Sequence, residues 1–225
     1  MKYKIIFLKL FNFVIFDMRI LLIIFVSYLL GSIPTAFILM KLVKNIDIRT
    51  AGSGNVGGMN TYEVSGSKLL GFIVFLVDFL KGFFAVIISK NFFPDNFLIV
   101  GLSVFFVVLG HCYSVWIGFK GGRGLATAFG STITFIPPAF FIWALIWLAV
   151  YIKSKDIHLG NIWATISTFI LMIINFDFLK KYLDPSTDSF NEYTLIVTLV
   201  LGLIFIRHLE PLRMIISKTR LKKEV

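Results

Sequence analysis

The sequence predicts an all-α integral membrane protein, a polytopic bundle of about seven transmembrane helices. Three observations support this fold class. Hydrophobic residues make up 58% of the 225 residues, and the mean hydropathy is +0.90, whereas a soluble domain is typically about 45–50% apolar. Several apolar runs are near the ~20 residues that a helix needs to cross a bilayer. Short polar segments, rich in glycine and basic residues, separate these runs.

The apolar runs give the predicted spans in order. They cover residues 20–40, 69–89, 97–113, 125–135, 139–152, 157–176 and 193–206. The fourth and fifth runs are each shorter than a full span, and Pro137 and Pro138 separate them, so they form either one kinked helix or two short ones. The basic loop at Lys153 and Lys155 favours two helices, because a single span would move this loop to the less basic side of the membrane.

The distribution of Lys and Arg predicts the orientation of the bundle. With seven spans, fourteen of the 22 basic residues fall on one side and seven on the other, while Lys81 lies inside a span. Cytoplasmic segments carry the excess of positive charge. We therefore expect the N-terminus outside and the C-terminus inside. The polar loops at residues 41–68 and 118–124 and the segment after residue 206 then share the cytoplasmic face.

The chain divides into three predicted regions. Residues 1–17 are an N-terminal extension or a mis-called start, because Met18 precedes a cleaner membrane helix. Residues 18–213 form the membrane domain, and residues 214–225 form a basic cytoplasmic tail. The net charge of +10 is explained by topology and anionic lipid, so we expect a bilayer partner and no nucleic acid. The single cysteine, Cys112, excludes an internal disulfide.

A basic glycine loop lies between two apolar runs and is the strongest candidate for a ligand site. It carries Lys120 and Arg123 together with Gly121, Gly122 and Gly124. Glycines let backbone N–H groups converge on an anion, and the basic side chains supply the opposite charge. A helix predicted from residue 125 would add its positive N-terminus. The sequence is consistent with a phosphate site here or with a flexible loop whose charges only set topology.

A second polar segment, residues 47–60, is dense in Gly, Ser and Asn and contains Arg49. These residue types expose backbone amides in tight turns, and Arg can hold a phosphate with paired donors. The alternative is a polar linker, which would not need this density of glycine together with two asparagines. We therefore favour a binding segment.

Several isolated polar residues add to the candidates. Ser32 can bond a ligand or a backbone carbonyl in a kinked helix. Asp78 and Lys81 are three residues apart inside a span, so they can pair. His111 and His208 flank the polar loops on one predicted face, where histidine can bind phosphate or accept a proton. His158 has no second histidine beside it in the sequence. No metal or cofactor motif is present in the sequence.

In their order and approximate spacing, six motifs resemble those of the bacterial acyl-phosphate:glycerol-3-phosphate acyltransferases, the PlsY family. They are GSIP at 31–34, DIRTAGSGNVG at 47–57, DFLKG at 78–82, GH at 110–111, FKGGRGLAT at 119–127 and RHLE at 207–210. The resemblance implies a multi-pass enzyme of the bacterial inner membrane with its active site facing the cytoplasm. It also implies transfer of an acyl group from acyl phosphate to the 1-hydroxyl of glycerol 3-phosphate, giving lysophosphatidic acid and phosphate for phospholipid biosynthesis. No cofactor is implied.

The resemblance also implies roles for individual residues. The expected catalytic residues are Ser32, Arg49, Lys120 and His208. The expected substrate-binding residues are Ser53, Asn55, Gly57, Asn60, His111, Gly121, Gly122, Arg123 and Gly124. Structural roles are expected for Asp78, Lys81 and Glu210, and no metal ligand is expected.

Five positions depart from the family pattern. Met59, Glu63, Ser114, Arg123 and Pro211 stand where the family usually has Thr, Arg, Pro, Lys and Asn. Pro211 is the largest change, since proline donates no hydrogen bond from its backbone or its side chain. Two alternatives follow: a catalytically inactive or acceptor-shifted homologue, and a small-anion transporter that uses the buried ionisable residues. Acyl-chain preference and oligomeric state are not predicted.

Overall fold

The computed structural model describes residues 18–213; the predicted extension at residues 1–17 and the basic tail at residues 214–225 lie outside the described residues. All regular secondary structure in the described part is helical, and this part contains no β-strand. Its helices are α1 (residues 18–32), α2 (Thr35–Lys44), α3 (Gly58–Ser65), α4 (Lys68–Phe92), α5 (Phe97–Cys112), α6 (Leu125–Phe135), α7 (Pro137–Ser154), α8 (Ile157–Ile174), α9 (Phe176–Leu179) and α10 (Phe190–Arg207).

Six helical segments of this part are long and apolar enough to cross a membrane, and α6 is a shorter apolar helix. The prediction of an all-α polytopic membrane bundle is confirmed, while the count of seven spans and the orientation stay predictions. The separation of the fourth and fifth runs is also confirmed, because α6 ends at Phe135 and α7 begins at Pro137. Proline is favoured at the first position of a helix, where its missing N–H costs no hydrogen bond.

Polar side chains fix where most of the long helices begin. The side chains of Ser67, Asn96, Asp156 and Ser189 each accept a hydrogen bond from a backbone N–H in the first turn of α4, α5, α8 and α10, respectively. Such N-caps satisfy donors that have no partner within the helix. The polar residues between the apolar runs therefore set the register in which each helix enters the bundle.

The predicted loop at residues 41–68 is wrong in one respect, because it contains ordered helical structure. Helix α2 extends to Lys44, Ile48–Thr50 forms a 3-10 turn, and α3 occupies Gly58–Ser65. Helix α3 is short and polar, so no apolar periodicity marks it in the sequence. Its polar residues are stabilised by contacts with the rest of the molecule, which lie beyond the reach of a local pattern.

Helix α5 lies at the centre of the bundle and α7 at its edge. The most apolar window of Phe97–Ile117 is 61% buried, whereas that of Pro137–Ser154 is only 6% buried. The main core forms where α5 packs against α6 and α10, with Val100, Val104 and Val108 on its central helix. The exposed apolar surface of α7 is the surface expected of a helix that faces lipid.

Two pairs of glycines bring helices into backbone contact. A Cβ atom on Gly31 of α1 would collide with the carbonyl of Val107, and one on Gly110 of α5 would collide with the carbonyl of Tyr28. A second pair, Gly82 on α4 and Gly130 on α6, meets in the same reciprocal way. Small residues at such crossings let membrane helices approach closely. We call these two contacts the glycine crossings.

Candidate active site

A cavity of about 810 Å³ lies among α3, α4, α5, α6, α7 and α8. One group of lining residues is aromatic: Phe72, Phe75, Phe129, Phe140, Trp143 and Trp147. A second group is polar or charged: Ser53, Asn55, Asn60, Glu63, Lys68, Asp78, His111, Arg123, His158, Asn161 and His208. Ligand sites are typically apolar cavities with a few placed polar groups. This lining suits a ligand that has both a charged group and a hydrocarbon part.

The periodicity of α4 explains why it contributes both kinds of group. Gly71, Phe75 and Asp78 are spaced four and three residues apart and line the cavity along one side of the helix. Leu125 and Ala126, at the N-terminus of α6, also line it. The first N–H groups of a helix have no intrahelical acceptor and carry partial positive charge. The start of α6 therefore favours a negative group in the cavity.

Arg123 is the half-buried guanidinium of the cavity. Its Nη1 lies 3.4 Å from Nδ1 of His158, at the start of α8. Burial lowers the pKa of Arg123, and the carboxylate of Glu210 opposes that shift; an arginine nevertheless stays charged at neutral pH. A guanidinium held partly out of water at the wall of a cavity is a strong site for a phosphate or carboxylate.

His208 is almost fully buried, with 1% of its surface exposed, and its ring is held by hydrogen bonds on both sides. Nδ1 lies 2.8 Å from the carbonyl of Ile204, so this nitrogen donates. Nε2 lies 3.3 Å from Nδ2 of Asn161 and accepts. Burial lowers the pKa of His208 to about 4, and the nearby Arg123 adds to that effect. The imidazole is therefore neutral at pH 7.

A buried polar cluster reaches the cavity through Asp78 and His111. Nζ of Lys81 lies 2.6 Å from Oδ1 of Asp78, the ion pair that their spacing predicts. The same carboxylate accepts from Thr35 at 3.0 Å and lies 3.7 Å from Nδ1 of His111. Lys81 also donates to the carbonyl of Ile33, at the break between α1 and α2. Both charges of the pair are thus compensated within the bundle, as buried charges must be.

The glycine loop differs from the expectation that its amides converge on an anion. The N–H of Gly121 donates to the carbonyl of Cys112, and that of Gly122 donates to the carbonyl of His111. The carbonyls of the same two glycines accept from Arg207 at 3.0 and 3.1 Å. A side chain at either glycine would collide with α5 or His111. These glycines therefore allow close packing, while Gly124 lines the cavity.

Arg49 also lies differently from the expectation of direct phosphate binding. Its Nε and Nη2 donate to the carboxylate of Asp47 at 3.0 and 2.7 Å, and Nη1 lies 3.4 Å from the carbonyl of Ile117. The hydrogen bonds from Arg49 lower the pKa of Asp47 from 3.8 to about 2. The paired donors that would hold a phosphate are thus engaged by a carboxylate two residues earlier. Arg49 is not part of the cavity lining.

Asn60 organises the segment that precedes α3. Its Oδ1 accepts from the N–H of Ser53 at 2.9 Å, and its Nδ2 lies 3.0–3.3 Å from the carbonyls of Ile48, Ala51 and Asn55. With 1% of its surface exposed, the side chain acts as an internal tie. It thereby places Ser53, Asn55 and Gly57 on the cavity wall, where the sequence places substrate-binding residues.

The remaining predicted residues lie outside the main cavity. Ser32 is fully buried, and within residues 18–213 its hydroxyl has no hydrogen-bond partner. It faces a cleft of about 10 Å³ shared with Asp78 and His111, a space of about one water. Lys120 is exposed on the glycine loop, and Glu210 is exposed in the helical turn after α10. The structure thus brings His111, Arg123 and His208 together, but not Arg49, Lys120 and Ser32.

Besides the aromatic wall, sequence reasoning missed the polar lining residues His158 and Asn161 and the supporting residue Arg207. His158 and Asn161 are three residues apart at the start of α8, so both face the cavity. Arg207 holds the glycine loop from α10 and lies 5.1 Å over the ring of Tyr113. The sequence does contain one local indication of this pair: His158 and Asn161 are three residues apart, directly after Asp156, which caps α8.

A membrane bundle that encloses a guanidinium, histidine side chains and an aromatic wall in one cavity has the features of a protein that binds amphipathic, anionic ligands. The profile of the family described as glycerol-3-phosphate acyltransferase matches residues 21–218. The chain belongs to this family.

Related proteins and solved structures of the same family match most of the chain. The glycerol-3-phosphate acyltransferase of Aquifex aeolicus is 38% identical over 70% of this chain and 81% of the relative. That of Ehrlichia canis is 36% identical over 85% and 92%. The crystal structure of PlsY, an integral membrane glycerol 3-phosphate acyltransferase, in its glycerol 3-phosphate form is 33% identical, with a TM-score of 0.75 over 89% of this chain and 93% of that one. Its lysophosphatidic acid form gives a TM-score of 0.73 at 32% identity.

Proposed function

We propose that the protein is a membrane acyltransferase that moves a fatty acyl group from acyl phosphate to the 1-hydroxyl of glycerol 3-phosphate. The observation that carries the proposal is that Arg123 and the start of α6 meet an aromatic wall in one cavity. Two phosphate-bearing substrates, one with a hydrocarbon chain, match this lining. The products are lysophosphatidic acid and phosphate, which places the reaction in phospholipid synthesis.

The proposed reaction is direct acyl transfer. The 1-hydroxyl oxygen attacks the acyl carbonyl carbon, the new ester bond forms, and the bond between that carbon and the phosphate oxygen breaks. The mixed anhydride is already activated, so no covalent acyl-enzyme is needed. Cys112 supports this view, because it is fully buried and absent from the cavity lining. Phosphate leaves as an anion, and Arg123 together with the α6 N-terminus would stabilise that charge.

The hydroxyl proton needs an acceptor, and a substrate phosphate suits this task better than His208. The pKa of His208 is lowered to about 4, and its Nε2 already accepts from Asn161. A phosphate monoester has a second pKa of about 6 and is the stronger base near neutral pH. We therefore assign proton removal to substrate phosphate, and assign to His208 the shaping of the cavity wall.

The remaining roles follow from position. We propose that Ser53, Asn55 and His158 contact the glycerol phosphate beside Arg123, and that the aromatic residues hold the acyl chain. Arg49 then fixes the 3-10 turn that precedes the binding segment, and Ser32 lies behind the Asp78–His111 cluster. Lys120 is proposed to attract anions from the exposed side of the glycine loop. We further propose that this site faces the cytoplasm from a bacterial inner membrane, as the charge distribution predicts.

The test is phosphate release from acyl phosphate by the purified full-length protein in detergent, with and without glycerol 3-phosphate. We expect release that depends on the acceptor. Arg123→Ala should lower kcat/KM by about 100- to 1,000-fold, since removing one preformed donor to a developing charge costs about 2.7–4 kcal/mol. Arg213→Ala is the matched control, because Arg213 is exposed and does not line the cavity.

Other outcomes separate the alternatives. Release without acceptor dependence would indicate a shifted acceptor or hydrolysis. A folded protein that releases no phosphate would be a catalytically inactive homologue. Uptake of phosphate into liposomes along an ion gradient, without acyl transfer, would indicate a transporter. Equal activity of Arg123→Ala and wild type would refute the assignment of Arg123.

A further inference from the structure

The start of α8 places a buried amide against His208. Asn161 is 7% exposed, lines the cavity and comes from a position 47 residues before its partner. Its backbone carbonyl accepts from Thr165 Oγ1 at 2.7 Å, and that hydroxyl in turn accepts from Trp143 Nε1 at 3.1 Å. Asn161 is thus fixed to the same helix turn that supports the aromatic wall. The predicted site residues do not include it.

The hydrogen bonds around the imidazole determine which atom of the amide faces it. Nδ1 of His208 donates to the carbonyl of Ile204, so its neutral ring carries the lone pair on Nε2. Of the two polar groups of the Asn161 amide, the –NH₂ can donate to that lone pair, whereas the oxygen can only accept. The ring is therefore held in one tautomer and one plane by two helices, α10 through Ile204 and α8 through Asn161.

Pro211, three residues after His208, cannot supply this second bond. Helix α10 ends at Arg207, and residues 209–213 form a new helical turn that includes Pro211. A residue three positions after His208 would share its side of a helix, but Pro211 is buried and has no side-chain or backbone donor. The donor comes instead from a different helix.

We propose that Asn161 is a positioning residue for acyl transfer, which fixes the His208 ring as part of the cavity wall. The inference rests on the proposed function, because it concerns turnover in the same cavity. Without the amide, Nε2 loses its donor and the ring is free to rotate into the space that the substrates occupy. Displacement of a wall group by about 1 Å can cost about 100-fold in rate. The effect should fall on kcat, since Asn161 acts through His208.

The experiment compares Asn161→Ala and Asn161→Leu with wild type in the full-length protein. The Leu variant keeps about the size of the side chain but has no N–H to donate. We expect kcat to fall by about tenfold or more in both, with KM for glycerol 3-phosphate changed by less than about threefold. Asn175→Ala is the matched control: it makes the same change at the exposed end of α8, where the amide bonds the carbonyl of Leu171 and no other group of residues 18–213. It should keep wild-type kcat.

A double-mutant cycle separates positioning from plain stability. If Asn161 acts through His208, Asn161→Ala should have little further effect on kcat in a His208→Ala background. The same fall in both backgrounds would overturn the proposal, and so would wild-type kcat in both Asn161 variants. A drop in kcat matched by a lower unfolding midpoint, absent in Asn175→Ala, would also overturn it. If wild type itself shows no acceptor-dependent release, the proposed function fails first, which is a different result.

Discussion

At the scale of single residues, we expect the fold to be most sensitive to mutation of the buried pair of Asp78 and Lys81. Both side chains are at most 4% exposed, and each has further polar partners. A buried ion pair is weak evidence for stability when both partners are present, but removal of one partner leaves an uncompensated charge. The fold therefore requires both partners of the pair, whether or not the pair adds net stability.

Lys81→Met should destabilise the protein by about 3–5 kcal/mol, because Asp78 then stays buried without its cation. Lys180→Met is the matched control. Lys180 forms ion pairs with Asp177 and Asp188 at 3.4 and 3.3 Å, but those carboxylates are more than 90% exposed. Exposed pairs contribute about 0–1 kcal/mol. Denaturant unfolding in detergent measures both, and equal losses of free energy would contradict the interpretation.

The sequence predicts residue contacts well only where the partners are near in the chain. The spacing of Asp78 and Lys81 is local, so their pairing could be predicted. The contacts of Arg207 with the glycine loop and of Asn161 with His208 join residues 85 or 86 and 47 positions apart. No local pattern encodes such pairs. Arg49 illustrates the converse, since its nearest acid, Asp47, occupies the donors that the motif alone assigns to phosphate.

At the scale of helices, the glycine crossings fix how closely α1 approaches α5 and α4 approaches α6. At these crossings a side chain of any size meets a backbone carbonyl of the opposing helix. Backbone atoms cannot move aside as a flexible side chain can. The paired helices can therefore lie this close only because glycine has no Cβ atom at these positions.

Gly82→Ala should destabilise the protein by about 1–3 kcal/mol, the usual cost of overpacking, because its Cβ would collide with the carbonyl of Thr127. Gly202→Ala provides the opposite case. It makes the same change within α10, where a Cβ would meet no atom within 4 Å. That variant should gain about 0.5–1 kcal/mol from helix propensity. Thermal or denaturant unfolding of both proteins tests the difference in sign.

The helices themselves are largely predictable. Apolar runs and polar caps locate the long helices to within a few residues, and Pro137 separates α6 from α7 as expected. Helix α3 is the exception, because it is stabilised by Asn60 and its neighbours in space. A polar segment of eight residues with no apolar periodicity has the pattern of a loop. Its helical state depends on contacts that only the folded molecule makes.

At the scale of the whole molecule, the cavity is a property that no single segment contains. Its lining comes from six helices, from the segments before α3 and α6, and from His208 after α10, which together span residues 53–208. The sequence supports a phosphate site near the glycine loop, but it does not reveal the aromatic wall. Phenylalanine and tryptophan are expected throughout a membrane helix, so composition does not distinguish a ring that faces lipid from one that faces a cavity.

Trp147→Ala should shift acyl preference toward longer or bulkier chains. The ring lines the cavity, and among residues 18–213 its Nε1 has no hydrogen-bond partner, so its removal adds space without breaking a bond. A change of one methylene in an apolar pocket is worth about 1–3 kcal/mol, or 10- to 200-fold in kcat/KM. The measurement is kcat/KM for acyl phosphates of two lengths. Trp163→Ala, which removes a ring 55% exposed on α8, should leave the ratio unchanged.

The glycine crossing between α4 and α6 has a consequence for how such a protein can evolve. Both helices line the cavity, and their separation is already at the minimum that the backbone permits. Natural selection for a different fatty acid therefore cannot work by sliding these two helices together. Selection for a different fatty acid has to act instead through substitutions of the individual aromatic residues that line the cavity. Chain-length variants should accordingly differ at those rings while they retain both glycines.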